Sequence, residues 1–599
     1  RDVAVTGVQT CALPIYTLSG NGAIEGTGSV TLKGKSAVNI KNTNRYTGGT
    51  YIDGGYLRPA TLANKDGLKY GSLGAADNII TMSNLGKLWL NASMTSSHPI
   101  VLGENGGQIE TYTGTNLIVN GGISKMNKGT NRDLYKLGSG TLQLNCAADF
   151  DKLYINAGTV YDFQDAHFNG KTIVLNGSKV VLQASNSIYS NNSDNVNIDV
   201  PKGKSGIWYP DGRCDYTGKL TGEGTIDIYG TWIRCQFKGN WSKFAGTINA
   251  KRGTKNAYEP VFDFNNTYGI PLATLNVDSR FTKDYAFCTN GKSFAIGALT
   301  GSGYISNGGN FDSGTNTLTI GGKDTDFTFN GSINGSYVVK NGTGTWTITS
   351  ENVLANAKSL KILDGFVKLN KATATTSMTS PTILYVQGSG QLCGVGYSLG
   401  VNLLKGGVLR PGTNKPASQT SNTGVINIQK NLIANDGSSI YVNLFKADSL
   451  YTKPTGSKAL GWAYLKVGGN ATLNGTIYVT YNENGWTPAE GDYVRVLDCA
   501  GTISGTPKFD FQALPDGLGW DTSKFLTEGV VYVANATGIR EIGFDAGSFQ
   551  ADVYTLNGFR LTSLQTSMAT LQSDLKSRGL APGLYIVRTA KGTVKVTLK

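Results

Sequence analysis

Histidine is nearly missing from this chain, at 2 of 599 residues. Neither His98 nor His167 has a second ligand at metal-binding spacing, so catalysis or metal binding by imidazole is not expected. Proline is scarce at 15 residues, and collagen-like Gly-X-Y order is excluded with it. Charged residues make up only 16% of the chain, and the Ala/Glu/Lys/Leu heptads of a coiled coil do not occur. No apolar run reaches 18 residues, so no helix is expected to span a membrane. Cysteine is thin, at 7 residues with no pair at CxxC spacing, which argues against zinc ribbons and thioredoxin-like chemistry. Cys214 and Cys235 stand about one repeat apart. They are read either as a disulfide or, more in keeping with a stacked core, as two buried thiols.

What is abundant is glycine, 80 residues or about twice the usual share, set among Asn, Thr and β-branched residues. Apolar residues are 39% of the chain and run through its length, so the chain has material for a core and is not of disordered composition. The formal charge of +13 is spread over single Lys and Arg residues without basic stripes, and no nucleic-acid partner is expected. The one concentration lies at the C-terminus. From residue 552 onward seven Lys and Arg face two Asp.

Short units recur along the chain, and such self-similarity is the first feature to follow. One is L-[ST]-G-x-G-x-I, at 18–24 (LSGNGAI), 220–226 (LTGEGTI) and 299–305 (LTGSGYI). Another is G-x-G-T followed by alternating apolar residues, at 138–144 (GSGTLQL) and 342–348 (GTGTWTI). A third joins two alternating strands through a Gly turn, as in 153–163 (LYINAGTVYDF) and 360–369 (LKILDGFVKL). Strands of four to six residues bury two or three side chains each and cannot make a core alone. They become stable when successive coils stack. Spacings of about 18–30 residues suit three strands per coil. The expected fold is all-β: a right-handed parallel β-helix followed by a small C-terminal β-sandwich-like domain.

The segments at 45–57 (RYTGGTYIDGGYL), 136–144 (KLGSGTLQL) and 339–353 (VKNGTGTWTITSENV) resemble the autotransporter-associated β-strand repeat of Gram-negative passenger domains. The stretch from 406–414 (GGVLRPGTN) to 514–523 (LPDGLGWDTS) is similar to the segment that closes such passengers. The membrane barrel usual in that family is not expected in the residues that follow here, which are too few for its strands and carry other motifs. Residues 552–561 (DVYTLNGFRL) and 580–599 (LAPGLYIVRTAKGTVKVTLK) resemble the C-terminal sorting domain of type IX secretion substrates, without its usual Asn-Pro at the start of the first strand. Residues 1–15 (RDVAVTGVQTCALPI) resemble the translation of a sequencing adaptor, and the native chain is expected to begin upstream of Tyr16. The expected division is then 1–16 non-native, 17–400 β-helix repeats, 401–537 terminal β-helix and cap, and 538–599 sorting-like domain. Between the strands of that last piece, Leu564, Met568, Leu571 and Leu575 suit one short amphipathic helix or an irregular linker.

The resemblance implies a secreted or cell-surface protein, outside the cell or on its outer membrane, acting as adhesin or surface structure without catalysis. Its partners would be surface glycans or host-surface molecules, with the secretion machinery meeting the C-terminal domain. No catalytic residue, metal ligand or cofactor is assigned. The Asp pairs 162/165, 211/215 and 324/326 sit beside Gly or Asn and read as turn residues, although Asp324 and Asp326 on one strand face offer weak calcium ligation. One cluster points to a ligand: Trp208, Tyr209, Trp232 and Trp241, with Tyr229 among them, form a candidate row for stacking sugars. The competing reading places these rings in an enlarged core. Other functions consistent with the fold are a glycan-binding stalk and the remnant of a polysaccharide lyase or glycosidase.

Overall fold

A computed structural model describes residues 15–598 except 163–167, 185–192, 211–213, 231–234, 254–261, 285, 307–315, 371–381, 413–423, 445–449, 453–457, 461–462, 482–485, 536–547, 568 and 590–591. It is a parallel β-helix. Short strands from successive coils line up in long parallel sheets, the largest of which has 18 strands and runs from Met94–Ser96 to Ile503–Ser504. A ten-stranded sheet begins at Ile15–Leu18, and five-, seven- and eleven-stranded sheets form the other walls. Leu384 pairs with Val401 and Ile426 with Leu465, so a coil takes from 17 to 39 residues, a wider range than the repeats suggest. Parallel pairing continues through residue 400 as far as Lys508–Phe511. At about 4.8 Å per strand, the largest sheet alone is roughly 80 Å along the axis.

The alternation of the sequence becomes columns. Leu117, Leu142, Val160, Leu182, Trp208, Ile228 and Ala250 are successive partners in the largest sheet, and all are buried. One position further along, Ile118, Gln143, Tyr161 and Gln183 pair in the same register on the outer face. Each inward side chain covers the one below it, which no four-residue strand achieves alone.

Coil corners are fastened by side chains that reach the next backbone. Asp324 accepts from the Thr343 N–H and Asp326 from the Thr345 N–H, each at 2.8 Å, so both carboxylates of this pair are corner acceptors. In both G-x-G-T units a fully buried lysine precedes the turn. Lys136 Nζ donates to the carbonyls of Leu137, Gly138 and Ala157 at 2.7, 2.6 and 3.2 Å. Lys340 Nζ donates to Asn341, Gly342 and Asp364 at 2.9, 2.6 and 3.3 Å. Burial pulls both ammonium groups down to about 8, which still leaves them charged at neutral pH. Each ammonium thus ties the turn of its own coil to the next. The glycine that follows has φ near +70°, and a Cβ there would lie 2.2 Å from a carbonyl of the preceding coil. Only glycine fits.

The stack ends under an antiparallel trio of strands, Tyr493–Arg495, Val530–Asn535 and Leu518–Asp521, with Phe525 and Val533 joining the main core. Residues 548–598 hold a separate core: a four-stranded antiparallel sheet against which the helix Leu571–Ser577 packs Leu571 and Leu575. The second layer of the expected sandwich-like unit is therefore a helix. Leu564, which the spacing assigns to that helix, lies instead in the strand Arg560–Thr566, because its register on Ala551 buries it against the sheet. No helix among the described residues is long and apolar enough to cross a membrane.

Candidate functional site

The aromatic cluster divides by strand parity. Trp208 occupies an inward position and is 3% exposed; Trp241 is 2% exposed and its indole N–H donates to the Gly218 carbonyl at 3.1 Å. Their neighbours are Tyr216, Phe237, Phe262 and Phe264, with ring centroids 4.8–6.3 Å apart. This corrects the expectation for these two residues. They fill a widened stretch of the core, where large rings bury the most area, and present no face to a sugar. Trp232 lies outside the described residues.

Tyr209 and Tyr229 face outward. The Tyr209 ring stacks on Tyr229 of the next coil at 4.8 Å and 22°. Lys251, Tyr229's partner in the following coil, places Nζ 5.6 Å from the Tyr229 centroid and 2.6 Å from Asp227. Burial and the neighbouring Tyr229 raise the Tyr209 pKa, and the Asp227 hydrogen bond raises that of Lys251. Asn249 donates to Asp227, and Asn276 to Asn249, at 2.6 and 3.0 Å. The outer face here is a ladder in which each group is consumed by the next. Tyr229 is covered on both sides, so its ring offers an edge and a hydroxyl rather than a free face.

Other candidates serve the fold. His98 is fully buried; its Nε2 accepts from the Ala63 N–H and its Nδ1 lies 2.8 Å from the Asn78 carbonyl. Burial lowers its pKa, so the ring is neutral and fixes a corner. Asp215 pairs with Lys238 at 2.7 Å. Asp165, His167 and Asp211 lie outside the described residues. Cys214 and Cys235 are buried thiols that are not joined in a disulfide. Among the described residues no group of three or more His, Cys, Asp or Glu side chains is placed to hold a metal ion.

A cleft of about 610 Å³ opens instead on the outer face of the five-stranded sheet near the N-terminal coils. Sequence reasoning missed it. Its floor is two outward columns in register, Thr31–Tyr51–Thr81 and Lys33–Asp53–Ser83, contributed by three successive coils. Its wall is the corner that carries Asn84, Glu104 and Lys128. Asn84 takes φ +51°, donates its amide to Asp53 at 2.7 Å and accepts from Asn105 at 2.8 Å, which fixes the Asp53 carboxylate. Behind this wall Gly103 packs closely, since a Cβ there would lie 2.1 Å from Ser83 Oγ. Tyr51 is 41% exposed. No hydrogen bond or ion pair among the described residues engages the side chains of Lys33, Tyr51, Glu104 or Lys128. The alternation of TYID (50–53) was the available signal, but the wall comes from residues 31 to 78 positions later. No protein-family model matches the chain, and no curated protein is similar to it.

Proposed function

We propose that this protein is a secreted or cell-surface β-helix that acts through its outer faces, as an adhesin or surface structural element, with no chemistry of its own. One observation carries the reading: parallel coils follow one another from residue 15 to 511, so outward side chains form columns many coils long. Such columns suit contact with extended or repetitive surfaces. The repeats that resemble the autotransporter-associated β-strand repeat, and the tail that resembles a type IX sorting domain, add the outer surface of a Gram-negative cell as the place. A glycan-binding stalk is the second reading, favoured by the polar cleft around Tyr51.

Protease shaving of intact producing cells tests the proposal. The full chain is expected to be cut from outside, and a chain ending at residue 535 to be retained inside. Full protection of the intact chain in unbroken cells, with digestion after lysis, would overturn it.

A further inference from the structure

We infer that the cleft around Tyr51 is a binding site for a neutral polysaccharide lying along the coil axis. The inference rests on the proposed surface role and names its ligand class.

Three observations point to that class. Beside Ile52 and Met126, the groups in the cleft are hydroxyls, one amide, one phenol ring and four charges, which together offer both donors and acceptors to a polyhydroxylated chain. Lys33 and Lys128 balance Asp53 and Glu104, so the cleft has no excess charge to attract a uronate, a sulfated glycan or a polycation. Three of the four charged side chains are also unspent. In the tyrosine ladder Lys251 is satisfied by Asp227 and covers Tyr229, whereas Lys33, Glu104 and Lys128 have no protein partner among the described residues, and Tyr51 keeps an exposed ring.

The floor also has a direction. Thr31 and Tyr51, both exposed, stand one strand spacing apart, about 4.8 Å, so a polymer along the axis meets a hydrogen-bonding side chain on each of these two coils, and Thr81, next in register, is buried. Tyr51 gives the apolar face of one sugar a ring to rest on, and the charged side chains at the wall take its hydroxyls through charge-assisted hydrogen bonds. Asp53 is held by Asn84 and is an acceptor fixed in advance. Nothing in the cleft cleaves a glycosidic bond in this proposal; the site binds.

The test is calorimetric titration of the full chain with cellohexaose, maltohexaose and mannohexaose, and with hexagalacturonate and a heparin hexasaccharide as charged comparators. At least one neutral hexasaccharide is expected to bind, and the charged ones at least tenfold more weakly. Tyr51→Ala is expected to lose tenfold or more of that affinity, and Glu104→Gln about threefold to tenfold. Tyr337→Ala, an exposed tyrosine on another sheet, is expected to bind as the parent does. Unchanged thermal unfolding of Tyr51→Ala separates a lost contact from a lost fold. Absence of binding to every neutral probe, preference for a charged probe, or full affinity in Tyr51→Ala would each overturn the inference. The shaving experiment reports independently on the surface role. Surface exposure without neutral-glycan binding would sink this inference and spare that role, and binding by a chain protected inside the cell would do the reverse.

Discussion

Asp263 shows how one buried carboxyl can set a pH dependence for the stack. Among the described residues its Oδ1 has no partner, and its Oδ2 receives only a 3.4 Å contact from Gln236. Burial pushes its pKa up to about 7, against the opposing charge of Lys238. The folded state therefore holds a proton that the unfolded chain releases near pH 4. The protonated form contributes its full stability below pH 4, and that contribution is lost as pH rises through 7. Asp263→Asn is expected to stabilise the protein at pH 8 by roughly 2–4 kcal/mol and to flatten the slope of stability between pH 4 and 7, as read from denaturant midpoints. The opposite case is the lysine of the G-x-G-T corners. Replacing Lys340 by Met keeps the stem but orphans three carbonyls, and a loss of roughly 2–4 kcal/mol is expected. Lys340→Arg is not expected to restore it, because a planar guanidinium cannot sit at the single point where the three oxygens meet. This residue was legible only in part: Lys stands two places before the first Gly in both units, but nothing in the spacing says that it turns inward.

Among the elements, the short strands were the most readable part of the chain. In LYIN and LKIL the alternation dictates which side chains go inside, and the Gly corners mark where each strand ends. Parity also decided the aromatic cluster. Trp208 and Tyr209 are neighbours in sequence and point to opposite faces, so a tally of rings along the chain could not tell core from surface. Trp241 escaped the rule because it lies outside the strands, where its indole N–H is bonded to the Gly218 carbonyl of the preceding coil. The Tyr51 cleft was illegible for a different reason: floor and wall meet only after three coils of unequal length are wound. The C-terminal element has its own small core, and Leu575 is its fully buried helical anchor. Leu575→Ala is expected to destabilise residues 548–598 by about 2–5 kcal/mol. Calorimetry should show that transition moving down while the main transition of the β-helix stays in place.

At the scale of the whole molecule, each coil touches chiefly the coils before and after it, so stability accumulates by neighbours rather than around a centre. Leu134 pairs with Gly107 on one side and with Leu153 on the other. Removing residues 134–152 would bring Leu153 to the position Leu134 now holds. The shortened chain is expected to fold, to keep the circular dichroism of a β protein, and to scatter as a particle about 5 Å shorter. Aggregation or loss of the cooperative transition would show instead that coils are tied to partners beyond their immediate neighbours.

The buried lysine at the corner carries a last consequence. Because its ammonium spans the seam between two layers, copying or excising a layer with its Lys-x-G-x-G-T motif carries the fastening along with the cargo. A gene of this design can change the reach of its product in whole steps by recombination between units, without inventing a new joint each time.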